Sequence, residues 1–289
     1  MKKKPGAAIV GGDSRLGYLA NLLSDAGFAV TSAALENCPV LSEKIARSTV
    51  IDAVSAADMV ILPLPASADG ISLFAPFSFA PIFLSEIFAA AVKGQLILGG
   101  KLSKKLIDAV SFRKIELIDY FDREELGILN AIPTCEGALE IALRETTHCV
   151  FGSQCLVAGY GRIGKLLANN LRDMGAYVTV AARKYADFAW IEANRMRHIH
   201  IGGLQGEIGR FDIVFNTVPV MLFDEKILPY AKSGALFIDL ASAPGGIDIE
   251  AACSLGLKAL SALSLPGKVA PETAAKMIFN TVMNILEQI

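Results

Sequence analysis

Gln154-Cys155-Leu156-Val157-Ala158-Gly159-Tyr160-Gly161-Arg162-Ile163-Gly164 is the stretch whose reading decides the fold. A short apolar run leads directly into G-x-G-x-x-G. Leu166, Leu167, Asn170 and Leu171 then recur with helical spacing, and Ala176-Tyr177-Val178-Thr179-Val180 follows Gly175 as a second apolar run. Strand, glycine turn, helix and strand together span about 30 residues, the length of a dinucleotide-binding βαβ unit. Each glycine answers a separate physical demand. Gly159 permits the tight turn, Gly161 lets a pyrophosphate reach the backbone, and Gly164 lets helix and strand pack closely. The helix start supplies N–H groups and the positive end of a dipole to the phosphates. Tyr160, Arg162 and Ile163, set among these glycines, are read with them as cofactor contacts.

The end of the second strand selects the cofactor. NAD-binding folds place an Asp or Glu there, about 20 residues past the glycines, to accept from the ribose hydroxyls. Here the residues are Ala182-Arg183-Lys184. A guanidinium in that place clamps a 2′-phosphate and stacks on adenine, so Arg183 and Lys184 favour NADP. A solvated Arg-Lys pair at a strand end is the alternative. Two further segments, Asn216-Thr217-Val218-Pro219 and Asp239-Leu240-Ala241-Ser242, close apolar runs on the same sheet edge. Thr217, Val218, Pro219, Asp239 and Ala241 are therefore expected to border the nicotinamide half, with ordinary polar strand ends as the competing explanation.

Working outward, 289 residues suggest two domains at about 150 residues each. Lys plus Arg is 27 and Asp plus Glu is 29, a formal charge of −2. That balance argues against a nucleic-acid or anionic-membrane partner, and Lys2-Lys3-Lys4 reads as a solubilising tip. Hydrophobic residues reach 53% and charged residues 19%, which excludes a disordered chain and suits sheets buried on both faces. The longest stretches free of Asp, Glu, Lys and Arg, 70–85 and 146–161, are 16 residues each, short of the roughly 20 that a spanning helix needs. No membrane span and no secretion signal are expected. Cys38, Cys135, Cys149, Cys155 and Cys253 are scattered and odd in number, so they read as thiols of a reducing cytoplasm, without a disulfide frame or metal site.

Apolar runs alternate with helical patterns throughout, the mark of parallel α/β sheets. In the first lobe strands are expected at 7–11, 28–33, 59–64, 95–98 and 115–119, with helices at 14–26, 84–93 and 102–110. Segment 65–82 reads as a long apolar loop. In the second lobe strands are expected at 154–159, 177–182, 198–201, 212–217, 234–239 and 257–261, with helices at 162–174, 185–196 and 248–255. A helix opens near Pro133 with Thr134 as N-cap and Glu136 and Glu140 in its first turns, and another runs from Pro271 to about Leu286. The expected class is α/β: two doubly wound parallel-sheet lobes, the second a NAD(P)-binding Rossmann domain inserted into the first, with a C-terminal helix returning to the N-terminal lobe. The expected boundaries are 1–133 for the substrate lobe, 134–150 for a bridging helix, 151–268 for the Rossmann domain and 269–289 for the returning helix.

No catalytic triad, metal cluster or phosphotransfer motif is present in the sequence. His198 and His200 share a strand face without the ligands that would complete a zinc site. Cations on loops at strand ends are the better substrate candidates: Arg15 after Gly11-Gly12, Lys101 after Gly99-Gly100, and Lys268 in the Pro266-Gly267 segment. Each also reads as a plain surface cation, but three would suit a substrate with two carboxylates. Ser14 and Thr134 are grouped with the substrate contacts.

Gly11-Gly12-Asp13-Ser14-Arg15, Ile132-Pro133-Thr134-Cys135-Glu136-Gly137, Gly152-Ser153-Gln154, Gly159-x-Gly161-Arg162, Asn216-Thr217-Val218-Pro219, Asp239-Leu240-Ala241-Ser242-Ala243-Pro244-Gly245-Gly246-x-Asp248 and Leu265-Pro266-Gly267-x-Val269-Ala270-Pro271-x-Thr273-Ala274 occur in that order. Together they resemble the dipicolinate synthase A subunits of spore-forming bacteria over essentially the full length. The resemblance implies a formate/glycerate-dehydrogenase-like scaffold and an NADP-dependent oxidation of a dihydrodipicolinate-type intermediate of the lysine branch to pyridine-2,6-dicarboxylate. It also implies a partner, the flavoprotein-like B subunit, together with a homo-oligomer and a cytoplasmic role in the mother cell of a sporulating bacterium. The chain departs from D-2-hydroxyacid dehydrogenases, which it also resembles, by having Pro266-Gly267 where their Pro-His stands. Within this reading Glu136 is the candidate proton acceptor and Lys268 a second catalytic candidate; a first-turn helix carboxylate is the plainer account of Glu136. Two alternatives stay open: a 2-hydroxyacid or shikimate-type dehydrogenase, and an NADP-binding regulatory subunit whose chemistry belongs to its partner.

Overall fold

The computed structural model describes residues 5–110 and 114–289, so the Lys2-Lys3-Lys4 run lies outside the described residues. The chain forms two units, Met1–Asn130 with Ala270–Ile289, and Ala131–Val269. The second is inserted in the sequence of the first.

Unit 1 is built on β1 (Gly6–Val10), β2 (Ala29–Ala33), β3 (Ala46–Arg47), β4 (Met59–Ile61), β5 (Leu96–Gly99) and β6 (Glu116–Asp119). They lie in the order β3-β2-β1-β4-β5-β6, all parallel. Unit 2 repeats the plan with β7 (Gln154–Ala158), β8 (Tyr177–Ala182), β9 (Arg197–His200), β10 (Ile213–Asn216), β11 (Leu236–Asp239) and β12 (Lys258–Ser261). Their order, β12-β11-β10-β7-β8-β9, is the same doubly wound arrangement, again all parallel. In each sheet the strand order reverses beside the first strand, at β1/β4 and at β7/β10, and ligands of such sheets bind outside the carboxyl ends at that reversal.

Apolar residues on both faces make these strands. In β1, Ala7 and Ile9 belong to one buried cluster while Ala8 and Val10 belong to another on the opposite face. In β7, Cys155 and Val157 part from Leu156 and Ala158 in the same way. That is the twofold alternation of a strand covered by helices on both sides. Helix Ser14–Asp25 supplies Leu16, Leu19 and Leu23 to one core of unit 1, and helix Pro271–Gln288 returns to the same core with Ala275, Ile278, Val282 and Ile285.

Some local expectations need correction. The helix assigned to start at Thr134 runs Ala131–Glu145 and has no acidic residue in its first turn. Thr134 is therefore not a cap but a buried residue, at 8% exposure, and Glu136 lies in the second turn. Pro133 is the third residue of that helix, within the first turn, where its missing N–H costs nothing. Glu124–Glu145 is long and apolar enough to cross a membrane by length and hydropathy. Part of its apolar side is occupied, however: Leu126 lies in the core of unit 1 and Cys135, Ala138, Ile141 and Ala142 in that of unit 2, while Ile128, Ile132 and Leu143 stay exposed. Residues 265–269, expected as loop, form the short helix Leu265–Val269. Helix Val50–Ala56 has no counterpart in the sequence reading, although Thr49 accepts from the Asp52 N–H and donates to its carboxylate, a local capping pair.

Candidate functional site

The glycine turn of unit 2 has three different environments. Gly159 leaves β7 with φ +97° and donates its N–H to the Ala181 carbonyl of β8. A Cβ on it would strike Thr217 Oγ1, and a Cβ on Gly164 would strike the Gly159 carbonyl oxygen. A Cβ on Gly161 would meet nothing within 4 Å. The first and third glycines are thus closed in by protein, while the second faces open space. Helix Arg162–Asp173 starts there with Gly161 as its N-cap and no side-chain cap, so the electropositive end of a helix of 12 residues meets that space. Tyr160 is buried in the core, with the Lys165 ammonium 5.5 Å from its ring centroid. Ile163 is half-buried, and its carbonyl accepts from the Cys135 thiol. Arg162 is exposed.

On the neighbouring strand β8, Arg183 and Lys184 are exposed just beyond Ala182, beside the turn that Gly159 ties to Ala181. On the other side, Thr217 follows β10 and gives both its N–H and its hydroxyl to the Ala158 carbonyl, at 2.9 and 2.8 Å. Val218 is half-buried, Pro219 exposed and Ala241 buried. These residues share the carboxyl edge of one sheet. Asp239, expected as a cofactor contact, is buried at 4% exposure. Its oxygens accept from Asn216 Nδ2 and from the N–H groups of Ala241, Gly246 and Ile247. With both oxygens directed inward it is a holding group, which corrects that expectation. Asn216, the first residue of the Asn216-Thr217-Val218-Pro219 segment, joins this site as the partner of Asp239, a link between two strand ends that the sequence does not announce.

Unit 1 has a turn at the equivalent place, with a different content. Asp13, not glycine, is the N-cap of helix Ser14–Asp25. Its carboxylate accepts from the Arg15 N–H and, at 2.9 Å on each oxygen, from Arg15 Nε and Nη2. Nη2 also donates to the Leu64 carbonyl at 2.5 Å, and Arg15 is 4% exposed. The paired donors that would grip a substrate carboxylate are taken by Asp13, so the expected substrate contact becomes a buried ion pair. Ser14 is half-buried in the same first turn. Lys101 is exposed, with φ +57°, unusual for a residue with a side chain. Asp119 holds that turn through the N–H groups of Lys101 and Leu102, at 2.9 and 2.6 Å. Burial pushes the Asp119 carboxyl above its ordinary value, against the pull of these amides.

Ser14 and Arg15 follow the carboxyl end of β1 and Lys101 that of β5, two strands of unit 1 with β4 between them. Thr134, Glu136 and Lys268 belong to unit 2, on helices Ala131–Glu145 and Leu265–Val269. Those helices meet where Gly137 faces Leu265. Glu136 and Lys268 are both exposed. No group of three or more His, Cys, Asp or Glu able to hold a metal ion occurs among the described residues.

Residues 6–121 match the family model for the N-terminal domain of the dipicolinate synthase A subunit. A relative, the A subunit of dipicolinate synthase from Bacillus subtilis (strain 168), is 32% identical over 233 residues, 80% of this chain and 78% of the relative. The crystal structure of the corresponding A subunit from Bacillus halodurans superposes with a TM-score of 0.89 at 28% identity, covering 98% of this chain and 97% of that one. A transhydrogenase from Sinorhizobium meliloti shares the fold, at a TM-score of 0.70 and 16% identity, over 97% of this chain and 93% of its own.

Proposed function

The chain belongs to the family of dipicolinate synthase A subunits, and from that premise we propose that it catalyses the NADP-dependent aromatisation of a dihydrodipicolinate-type intermediate to dipicolinate. It does so in the cytoplasm of a sporulating cell, in homo-oligomeric form and in partnership with a flavoprotein-like B subunit. The observation that carries the cofactor reading is the open space at Gly161 in a turn closed at Gly159 and Gly164. A pyrophosphate fits a cradle of that kind. Arg183 and Lys184, exposed where an NAD-binding fold has its carboxylate, support a 2′-phosphate contact. Thr217, Val218, Pro219 and Ala241 would border the nicotinamide half, and Tyr160, Arg162 and Ile163 the turn itself.

The dinucleotide, when bound, supplies the hydride acceptor. The chain's own residues do the rest: the candidate carboxylate contacts are Lys101 and Ser14 within unit 1, and Lys268 and Thr134 within unit 2. The ring carbon gives up a hydride and a second ring position gives up a proton to the Glu136 carboxylate. The four electrons of the two broken C–H bonds end as the hydride pair and the new ring π bond. Aromatisation supplies the driving force.

A second reading, an NADP-binding subunit whose chemistry lies on its partner, is favoured by one observation: Arg15, the most directed cation for a carboxylate, is engaged by Asp13. One assay separates the two. Purified protein is mixed with NADP and enzymatically generated dihydrodipicolinate, while NADPH and pyridine-dicarboxylate absorbance are followed together. Joint appearance of both signals is expected. Turnover only after adding the B subunit favours the second reading, and silence with both subunits present overturns the chemistry. Arg183→Ala is expected to weaken NADP binding by about 10- to 100-fold, the range for losing a charged hydrogen bond, with NAD binding little changed. Equal NADP affinity in variant and wild type would remove the 2′-phosphate contact.

A further inference from the structure

Two loops leave the adjacent strands β10 and β11 at their carboxyl ends, and one buried carboxylate ties them together. Asp239, the last residue of β11, accepts at Oδ1 from Asn216 Nδ2 (2.8 Å) and from the Ala241 N–H (3.1 Å). At Oδ2 it accepts from the N–H groups of Gly246 (2.8 Å) and Ile247 (3.2 Å). Asn216, the last residue of β10, is fully buried and passes the constraint to the other loop. Its Nδ2 also donates to the Val218 carbonyl at 3.0 Å, and its Oδ1 accepts from the Val218 N–H at 3.1 Å. Beyond them the loops are joined through the backbone. The Gly246 carbonyl accepts from Leu222 and Phe223, and Asp248 donates to the Phe223 carbonyl. A Cβ on Gly246 would strike Asn216 Nδ2, so the two loops approach as closely as a residue without a side chain allows.

Among the described residues, none of the hydrogen-bond donors to Asp239 is a cationic side chain. Burying a carboxylate on neutral donors is expensive, and only a full set of hydrogen bonds makes it tolerable. A strand end that needed nothing but packing would be served by an apolar residue. What the carboxylate adds is convergence: four donors, one at the end of β10 and three in the loop after β11, meet on one group, and the backbone of Val218 is fixed through Asn216.

We propose that Asp239 is a positioning residue that holds the loops after β10 and β11 as one rigid body, so that Thr217, Val218 and Ala241 stand ready for the nicotinamide half of the dinucleotide. This rests on the dinucleotide reading given above. The sheet order separates the two halves of that ligand: β10 and β11 lie on one side of β7, while β8, with Arg183 beyond its end, lies on the other. Loosening the Asp239 clamp therefore acts on the nicotinamide side and leaves the 2′-phosphate side intact.

The test uses full-length protein and two ligands, NADPH and adenosine 2′,5′-bisphosphate, which carries only the β8 side of the cofactor. Asp239→Asn keeps the shape but turns one acceptor into a donor facing other donors. It is expected to weaken NADPH by about tenfold, the size of one buried hydrogen bond made unfavourable, with the fragment unchanged within about twofold. Hydrogen exchange at the Ala241, Gly246 and Ile247 amides should accelerate while the strand amides of β7 and β8 keep their rates. Asn216→Ala, which cuts the link to Val218, should give the same split between ligands, and it decides alone if Asp239→Asn does not fold. Equal loss of both ligands would assign Asp239 to the fold in general and overturn the proposal, as would NADPH affinity equal to wild type. Wild-type protein binding neither ligand would sink the dinucleotide reading itself, and this proposal with it, before any variant is compared.

Discussion

A single methyl group tells the glycines of the unit 2 turn apart. Gly164→Ala would press Cβ against the Gly159 carbonyl oxygen, a backbone atom that cannot step aside. A loss of about 1–3 kcal/mol in denaturant unfolding is expected, the range for overpacking. Gly161→Ala meets open space at φ −82°. Its stability should fall by no more than about 1 kcal/mol, the size of replacing a good N-cap residue by Ala, while dinucleotide affinity falls more than about tenfold; retained affinity in a titration would mean that no phosphate approaches there. Thiols divide as cleanly. Burial pushes Cys135 and Cys155 up to about 12 and raises Cys38 as well, whereas Cys149 and Cys253 are exposed. Since thiolate is the reactive form, iodoacetamide at pH 8 should label Cys149 and Cys253 in the folded protein, as read by peptide mass spectrometry. Label on Cys135 or Cys155 would indicate local opening. The glycine positions were legible in the sequence because their demands are local. Arg15 was not: the sequence sets Asp13 two residues away without saying that its carboxylate takes Nε and Nη2, and the Leu64 carbonyl that also accepts from Nη2 lies 49 residues off. Asp239 was misread for a related reason: the strand end was visible, but Asn216 reaches it from 23 residues away.

Among elements, legibility follows the length of the apolar pattern. Helix Pro271–Gln288 announces itself through Pro271 and a long periodic face, and the structure buries that face against the core. Ile278 is 1% exposed there. Ile278→Ala is expected to cost about 2–5 kcal/mol, transfer plus cavity, measurable by urea unfolding; a cost below about 1 kcal/mol would mean that this helix contributes little to the core. The two-residue strand β3 and the short helix Val50–Ala56 carry too few residues for a period to show. The start at Ala131 was misjudged for a different reason. Proline marks a first turn, but it does not say which of that turn's positions it fills.

At the scale of the molecule, the same sheet order appears twice, and the two turns at its reversal have been put to opposite uses. Unit 2 leaves Gly161 open, while unit 1 sets the Asp13–Arg15 pair at the corresponding helix start. The doubled α/β architecture was legible from alternating patterns. The closing of the first turn was not, because a lone Gly-Gly-Asp-Ser-Arg does not tell whether its arginine faces a ligand or its own neighbour. Unit 2 is continuous in sequence and has its own cores on both faces of its sheet. A fragment of residues 131–269 is therefore expected to fold alone and to bind NADPH within about threefold of the full chain, since a domain with its own core is in principle independent. Spectroscopic unfolding and a fluorescence titration check both statements; an unfolded fragment would make the second unit dependent on the first.

Unit 1 closes only with helix Pro271–Gln288, which is encoded after the whole of unit 2. During translation, at roughly 5–20 residues per second, the inserted unit is complete on emerging from the ribosome while Leu16, Leu19 and Leu23 still lack their last partners. The usual vectorial sequence is inverted: the middle of the polypeptide matures first, and its amino-terminal part waits, with apolar surface uncovered, for the helix that finishes it.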